Sequence, residues 1–92
     1  MGYDVKYRAG AKKALEKIDR PAREMIKNWI AGHLDGCENP RAYGRAMTGN
    51  HGGEWRYRVG VYRILAEIHD DEVLIMVIDI GHRQGVYNKK RY

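Results

Sequence analysis

The sequence is poor in cysteine and in long apolar runs, and each shortage excludes a class of protein. Cys37 is the only cysteine, which excludes an internal disulfide framework and argues against a structural zinc site. The longest apolar run, 73–78, has 6 residues, whereas a bilayer-spanning helix needs roughly 20. The first residues lack the pattern of a secretory signal. We therefore expect a cytoplasmic protein without membrane contact.

The chain is short, with 92 residues of which 43% are hydrophobic. This is enough for one modest core but not for two. We therefore predict a single domain over residues 1–92, and the size excludes a multidomain enzyme. Proline is scarce, at two residues, and 32% of the residues are charged. This composition is typical of a folded chain and not of a disordered one.

Basic residues outnumber acidic ones, 17 to 12, and the formal net charge of +5 favours a polyanionic partner. The excess is concentrated in two segments. Residues 41–63 contain five arginines and one glutamate, and residues 82–92 contain four bases and no acid. Because a guanidinium can bind two phosphate oxygens at once, these segments are candidate phosphate-binding sites. The alternative is an ordinary solvated basic surface.

Residue periodicity in the N-terminal half predicts one strand followed by two helices. Apolar and polar residues alternate over 3–8, which predicts a strand. Apolar residues then recur at helical spacing over 10–19 and 21–34. Asp19 is placed to cap the second helix, and Gly36 to end it in a left-handed conformation. The two helices should form an antiparallel hairpin.

The C-terminal half predicts three strands after a connecting segment. Residues 36–53 contain five of the eleven glycines and read as a connection. The strands follow over 54–59, 61–68 and 73–80, with a polar turn over 69–72 and an end at Gly81. The first two strands are either joined around Gly60 or form one bent ribbon. The last strand is apolar on both faces, so we expect it in the sheet interior. The order β-α-α-β-β-β predicts an α+β fold, with the helix hairpin packed on one face of a mostly antiparallel sheet.

The face that the helices leave uncovered is expected to carry four arginines that are far apart in sequence: Arg56, Arg58, Arg63 and Arg83. Trp55, Tyr57 and Tyr62 are interpreted as core aromatics. A plainer role for Arg63 is a cross-strand ion pair with Asp79 or Glu67. The histidines at 33, 51 and 69 lack partners at metal-ligand spacing, so they are interpreted as surface residues and no metal site is predicted.

Three segments resemble the RelE/ParE superfamily of bacterial toxins, and specifically its RelE-type mRNA endonucleases. They are WRYRV at 55–59, VYRIL at 61–65 and DIGHRQGVY at 79–87. The resemblance implies a toxin of a type II toxin–antitoxin system that inhibits translation by cleaving mRNA in the ribosomal decoding site. It implies attack by the 2′-hydroxyl on the adjacent phosphate without metal or cofactor, and a RelB-like antitoxin as partner.

The same resemblance implies roles for individual residues. Arg63 would stabilise the phosphorane, Arg83 would lie near the leaving oxygen, and Tyr87 would stack on the substrate or deprotonate it. His82 is the alternative proton carrier, since histidine transfers protons near neutral pH. However, neighbouring residues of a strand point to opposite faces, which would separate His82 from Arg83.

Further basic residues are candidate RNA contacts: Arg45, Arg56, Arg58, Lys89 and Lys90. Arg56 and Arg58 stand where the best-studied branch of the superfamily has lysines. Since arginine stays charged, these two residues would not serve in a role that requires loss of a proton.

Two other functions remain open from the sequence. The same fold serves ParE-like proteins that inhibit DNA gyrase, and a basic surface also suits a non-catalytic RNA-binding domain. The grouping of Arg63, Arg83 and Tyr87 favours the nuclease, because gyrase binders of the superfamily need not keep that set.

Overall fold

The computed structural model describes residues 2–46 and 54–82, which form two helices and a five-stranded mixed sheet. The elements are β1 Asp4–Tyr7, α1 Ala9–Glu16, α2 Arg20–His33, β2 Arg45–Ala46, β3 Glu54–Val59, β4 Tyr62–His69 and β5 Leu74–His82. The strand order is β1-β5-β4-β3-β2; β1 is parallel to β5, and the other neighbours are antiparallel. The predicted α+β fold is confirmed.

The helix hairpin packs on one face of the sheet, as predicted. The apolar residues of both helices join the buried strand residues in a single core cluster: Ala11, Leu15, Ile26, Ile30, Leu34, Tyr57, Val59, Ile64, Ala66, Ile75, Val77 and Ile80. Each fully buried isoleucine in it contributes roughly 1.5–3 kcal/mol. This packing fixes which face of the sheet is covered, and therefore which strand residues point away from the helices.

The boundaries of the helices agree with the prediction to within three residues, but one cap differs. Asp19 occupies the N-cap position of α2, yet its side chain makes no capping hydrogen bond. Its backbone carbonyl instead accepts a hydrogen bond from the amide of Arg23. Gly36 has the predicted left-handed conformation, with a φ of 83°. The connection that follows turns back toward the sheet.

That connection is tied at two points, to β3 and to the turn between β4 and β5. The buried hydroxyl of Tyr57 donates to the carbonyl of Pro40 at 2.7 Å, and burial raises the pKa of Tyr57. Arg41 donates twice to Asp70, at 3.0 and 2.9 Å, and Tyr3 donates to the same carboxylate at 2.7 Å. These hydrogen bonds lower the pKa of Asp70 to about 2, and those from Arg41 contribute most. The segment before β2 is therefore held in a defined position.

The sequence pattern missed β2, which has only two residues and so shows no alternation. Arg45 pairs with Arg56, and Ala46 with Trp55, in antiparallel register. At Gly60 the sequence allowed either a turn between two strands or one bent ribbon, and the structure has the turn: Val59 pairs with Tyr62 across a two-residue loop. Gly60 has a φ of 61°, which suits the first central position of a type II′ hairpin turn.

The prediction that Gly81 ends the last strand was wrong. β5 continues to His82, and Gly81 pairs with Arg63 within the ladder. β5 also contains an extra residue, Ile78, because Val77 pairs with Ala66 while Asp79 pairs with the adjacent Leu65. This bulge resets the alternation, so that Ile80 returns to the helix-covered face with Val77.

No helix in the described part of the chain is long and apolar enough to cross a membrane.

Candidate nucleic-acid interface

The strand register brings four arginines onto one face of the sheet. Arg45 lies opposite Arg56, and Arg58 lies opposite Arg63. Residues directly opposite each other share a face, as do residues two apart in one strand. Tyr57 and Ile64 form the intervening pair and point toward the helices. All four guanidinium groups therefore belong to the opposite surface, which we call the arginine face.

Like charges directly opposite each other destabilise an antiparallel pair. The arginine face contains two such pairs. The predicted convergence of Arg56, Arg58 and Arg63 is confirmed as geometry, and Arg45 joins them. An anion bound among these four groups would relieve the repulsion, so the arrangement is suited to phosphate.

A cavity of about 520 Å³ lies beside this cluster. Its walls come from α2, the segment before β2, and the strands β2, β3 and β4: Trp29, Tyr43, Gly44, Arg45, Arg56, Tyr57, Arg58 and Arg63. The volume is within the range of about 300–1,000 Å³ that small ligands occupy. A cavity of this size can admit one nucleotide but not a folded RNA element.

The four arginines differ in exposure. Arg63 is only 7% exposed, whereas Arg45 and Arg58 are exposed and Arg56 is half-buried. Burial reduces solvent screening, so an anion in contact with Arg63 would experience its charge more strongly than that of an exposed cation. Arg63 is accordingly suited to stabilise charge at a reacting phosphate, while the others can hold the flanking backbone.

Negative charge is displaced toward the other end of the same face. Glu54 lies opposite Glu67, beyond the arginine pairs. The carboxylate of Glu67 accepts from Arg8 at 2.9 Å and contacts His69 at 3.1 Å. Asp79 pairs with Leu65, two residues after Arg63 in β4, so one further carboxylate lies on this face beside the arginine pairs. The face therefore has a mainly basic end at the β3–β4 turn and an acidic end away from it. An RNA phosphate is attracted to the first and repelled by the second.

His82 lies apart from this cluster. It pairs with Tyr62 in the ladder, and the two rings meet edge to face with their centroids 5.6 Å apart. Tyr62 shares the helix-side face with Ile64, so His82 does too, as strand alternation suggested. The other predicted site residues Arg83, Tyr87, Lys89 and Lys90 lie outside the described residues, and so does His51.

The prediction that His33 is a plain surface residue was wrong. It is half-buried, its ring stacks on Trp29 at 4.5 Å and 12°, and its Nδ1 lies 2.9 Å from the Trp29 carbonyl oxygen. Tyr43 meets both rings edge to face. The four-residue spacing of Trp29 and His33 on a helix is the sequence signal that could have revealed their contact. No sequence signal pointed to Tyr43.

Histidine, cysteine and carboxylate side chains do not gather into a potential metal site anywhere in residues 2–46 and 54–82. The chemistry that these residues offer is instead cationic and aromatic. Guanidinium groups bind and stabilise negative charge, and the adjoining rings offer surfaces on which a base can stack.

The sequence and the structure of the chain are both similar to toxins of toxin–antitoxin systems. A family model described as the ParE toxin of type II toxin–antitoxin systems matches residues 5–87. The chain is 24% identical over 89 residues to the toxin RelG of Mycobacterium tuberculosis, covering 97% of this chain and 100% of that protein. Its structure resembles the toxin–antitoxin complex RelBE2 of the same organism, with a TM-score of 0.81, 23% identity and coverage of 90% and 93% of the two chains. The isolated RelE toxin of Escherichia coli is similar at a TM-score of 0.71 and 23% identity, with coverage of 97% and 95%.

Proposed function

The chain belongs to the ParE toxin family of type II toxin–antitoxin systems, within the RelE/ParE superfamily, and we propose that it is a ribosome-dependent endoribonuclease that cleaves mRNA. The observation that carries the proposal is the convergence of four arginines beside one cavity. Directly opposed like charges disfavour a strand pair, and a phosphate bound between the guanidinium groups would offset that repulsion. The proposed site of action is the cytoplasm, where ribosomes translate mRNA.

The proposed reaction is attack of an RNA 2′-oxygen on the adjacent phosphorus. A bond forms between the 2′-oxygen and phosphorus, and the bond from phosphorus to the 5′-oxygen breaks. The products are a 2′,3′-cyclic phosphate and a 5′-hydroxyl. Negative charge grows on the phosphorane oxygens, where Arg63 and Arg58 would stabilise it. No metal or cofactor takes part in this scheme.

Two protons must move in this reaction. The 2′-hydroxyl loses one to a base, and the 5′-oxygen takes one up from an acid. Arginine stays charged and cannot be the base. We assign proton transfer to Tyr87, with Arg83 beside the leaving oxygen, from the resemblance of the 79–87 segment. His82 is the weaker choice because it lies on the helix-side face.

Dependence on the ribosome follows from the small size of the cavity. A cavity of about 520 Å³ holds one nucleotide and therefore contacts only a small part of a long RNA. If the ribosome holds the mRNA in a fixed geometry, the toxin need only position one linkage against its arginines. The +5 net charge of the chain favours docking on ribosomal RNA.

A RelB-like antitoxin is the proposed partner. The structural neighbours include toxin–antitoxin complexes from Mycobacterium tuberculosis and Methanococcus jannaschii. An acidic segment of the antitoxin would complement the arginine face and block access of RNA to it. Co-expression of the antitoxin is expected to reverse growth arrest.

The proposal is tested by mapping RNA 5′ ends on programmed ribosomes with purified protein. Wild type is expected to cut within the open reading frame, and Arg63→Gln to cut about 10²–10³ times more slowly, by analogy with the loss of one donor to a transition-state oxyanion. Lys6→Gln is the matched control, because Lys6 is an exposed strand cation opposite Met76. Cleavage by Arg63→Gln at the wild-type rate would contradict the assignment, and binding without cleavage by wild type would indicate a non-catalytic RNA-binding domain.

Inhibition of DNA gyrase is the second candidate, and the match to the ParE family model favours it. It would operate through binding alone. A supercoiling assay separates the two: we expect no inhibition at concentrations that cleave ribosome-bound mRNA. Inhibition of supercoiling together with intact mRNA would replace the nuclease with this function.

A further inference from the structure

The segment from Tyr43 to Arg45 is held rigidly against β3. The carbonyl of Tyr43 accepts from the indole Nε1 of Trp55 at 2.6 Å. Gly44 has a φ of 73°, and a Cβ there would collide with the carbonyl oxygen of Arg56. Arg45 then pairs with Arg56 in the sheet. The backbone at this wall of the cavity is therefore constrained, and the point from which the Tyr43 side chain leaves it is fixed.

The ring of Tyr43 is ordered by its neighbours and yet remains open to solvent. It meets Trp29 at a centroid distance of 5.9 Å and His33 at 5.2 Å, in both cases edge to face. It is nevertheless 42% exposed. A tyrosine fixed by two rings and a hydrogen-bonded backbone loses little further entropy when a flat ligand covers it. Such a surface is suited to stacking an aromatic base.

Tyr43 also lies beside the cationic part of the same cavity. Tyr43, Trp29 and the four arginines of the arginine face all contribute to its wall. Tyr43 and Arg45 are two residues apart, at most about 7 Å along the backbone. This spacing is comparable with the reach of a nucleotide from its base to its phosphate. One nucleotide can therefore engage the ring and a guanidinium together.

We propose that Tyr43, supported by Trp29 and His33, is a stacking platform for the base of one nucleotide at the cleavage site. The inference rests on the proposed nuclease function and adds the subsite that positions the RNA. The arginines hold the phosphates, and the ring holds the adjacent base out of its own stack. Since every base has a π-face, the platform tolerates all four bases and favours purines through their larger area. Tyr43 is a positioning residue here, because it contacts a base and not the reacting atoms.

Abasic substitution tests the platform on ribosome-bound mRNA. Each nucleotide of the A-site codon is replaced in turn by an abasic residue, and cleavage by wild type is compared with that by Tyr43→Leu. Loss of one stacking contact is expected to slow cleavage about tenfold. At one codon position, abasic substitution should therefore lower the cleavage rate of wild type about tenfold. The same substitution should lower the rate of Tyr43→Leu less than twofold, because the variant has already lost that contact.

Two further variants act as controls. Tyr43→Phe retains the ring and is expected to cleave within twofold of wild type. Met25→Ala removes an apolar side chain of the same exposed fraction, 42%, that does not line the cavity. It should also cleave within twofold. If Tyr43→Leu fails to fold, Tyr43→Gln, which also lacks a ring, takes its place with the same expected loss.

The platform is refuted if no abasic position slows wild type, or if Tyr43→Leu is folded and cleaves within twofold of wild type. A second measurement decides the case in which wild type cuts no RNA and the proposed function itself fails. A 2′-O-methyl RNA hexamer, which cannot undergo the reaction, is titrated into the protein while its tryptophan fluorescence is recorded. Quenching that disappears in Tyr43→Leu supports the platform without catalysis, and equal affinity of wild type and variant overturns it.

Discussion

Removal of one charge from the Arg58–Arg63 pair is expected to make the protein more stable. Directly opposed like charges destabilise an antiparallel pair by about 0.2–1 kcal/mol. Arg63 is 7% exposed and so is poorly screened, which favours the middle of that range. Arg58→Gln should therefore gain about 0.5 kcal/mol at low salt. For a chain of 92 residues, this gain corresponds to a rise in Tm of about 2–4 °C.

The assay is thermal unfolding at about 20 mM and 1 M monovalent salt, with Lys6→Gln as the control for net charge. Lys6 is an exposed strand cation opposite an uncharged residue, so its loss should leave Tm within about 1 °C. The gain in Arg58→Gln should vanish at 1 M, where the Debye length is about 3 Å. Added phosphate should raise the Tm of wild type more than that of the variant. A lower Tm for Arg58→Gln at low salt, or a gain that 1 M salt leaves unchanged, would refute the reasoning.

Two further predictions concern the turn between β4 and β5. Val73 has a φ of 51°, a region that costs a β-branched residue about 1–2 kcal/mol; Val73→Asn should gain about 0.5–1 kcal/mol in urea unfolding, and an unchanged midpoint would contradict this. The depressed pKa of Asp70, about 2, means that the ionised carboxylate stabilises the fold above the unfolded-state value of about 4, with the effect lost as pH falls toward 2. The Tm of wild type should therefore exceed that of Asp70→Asn at pH 6, and the two Tm values should converge at pH 2. A difference in Tm that persists at pH 2 would argue against this role.

The sequence predicted the covered and uncovered faces of the sheet because alternation in β3 is strict. Trp55 and Tyr57 alternate with Arg56 and Arg58, and one set must face the core. The helices were equally clear from their apolar spacing. These signals are local, since each depends on a few adjacent residues. Local signals place a side chain on a face but do not choose its neighbours.

Neighbour relations were the part that sequence reasoning missed. β2 has two residues and pairs with the edge of β3, so no sequence pattern indicated that Arg45, already a candidate RNA contact, lies opposite Arg56. The continuation of β5 past Gly81 depends on Arg63 lying opposite. The exposed position of Tyr43 depends on the backbone of its neighbour Gly44 and on the rings of Trp29 and His33. Those two rings come from a separate helix, so no local pattern predicts the contacts.

The parallel pairing of β1 with β5 has a consequence for the order of folding. Asp4 pairs with Leu74, which lies 70 positions later, whereas Arg58 and Arg63 face each other across one tight turn. Contacts between distant segments are slow to form. During synthesis the hairpin that displays the guanidinium groups can form early, but the first strand must wait for the last. A nascent chain therefore lacks the partner of its first strand until translation is nearly complete.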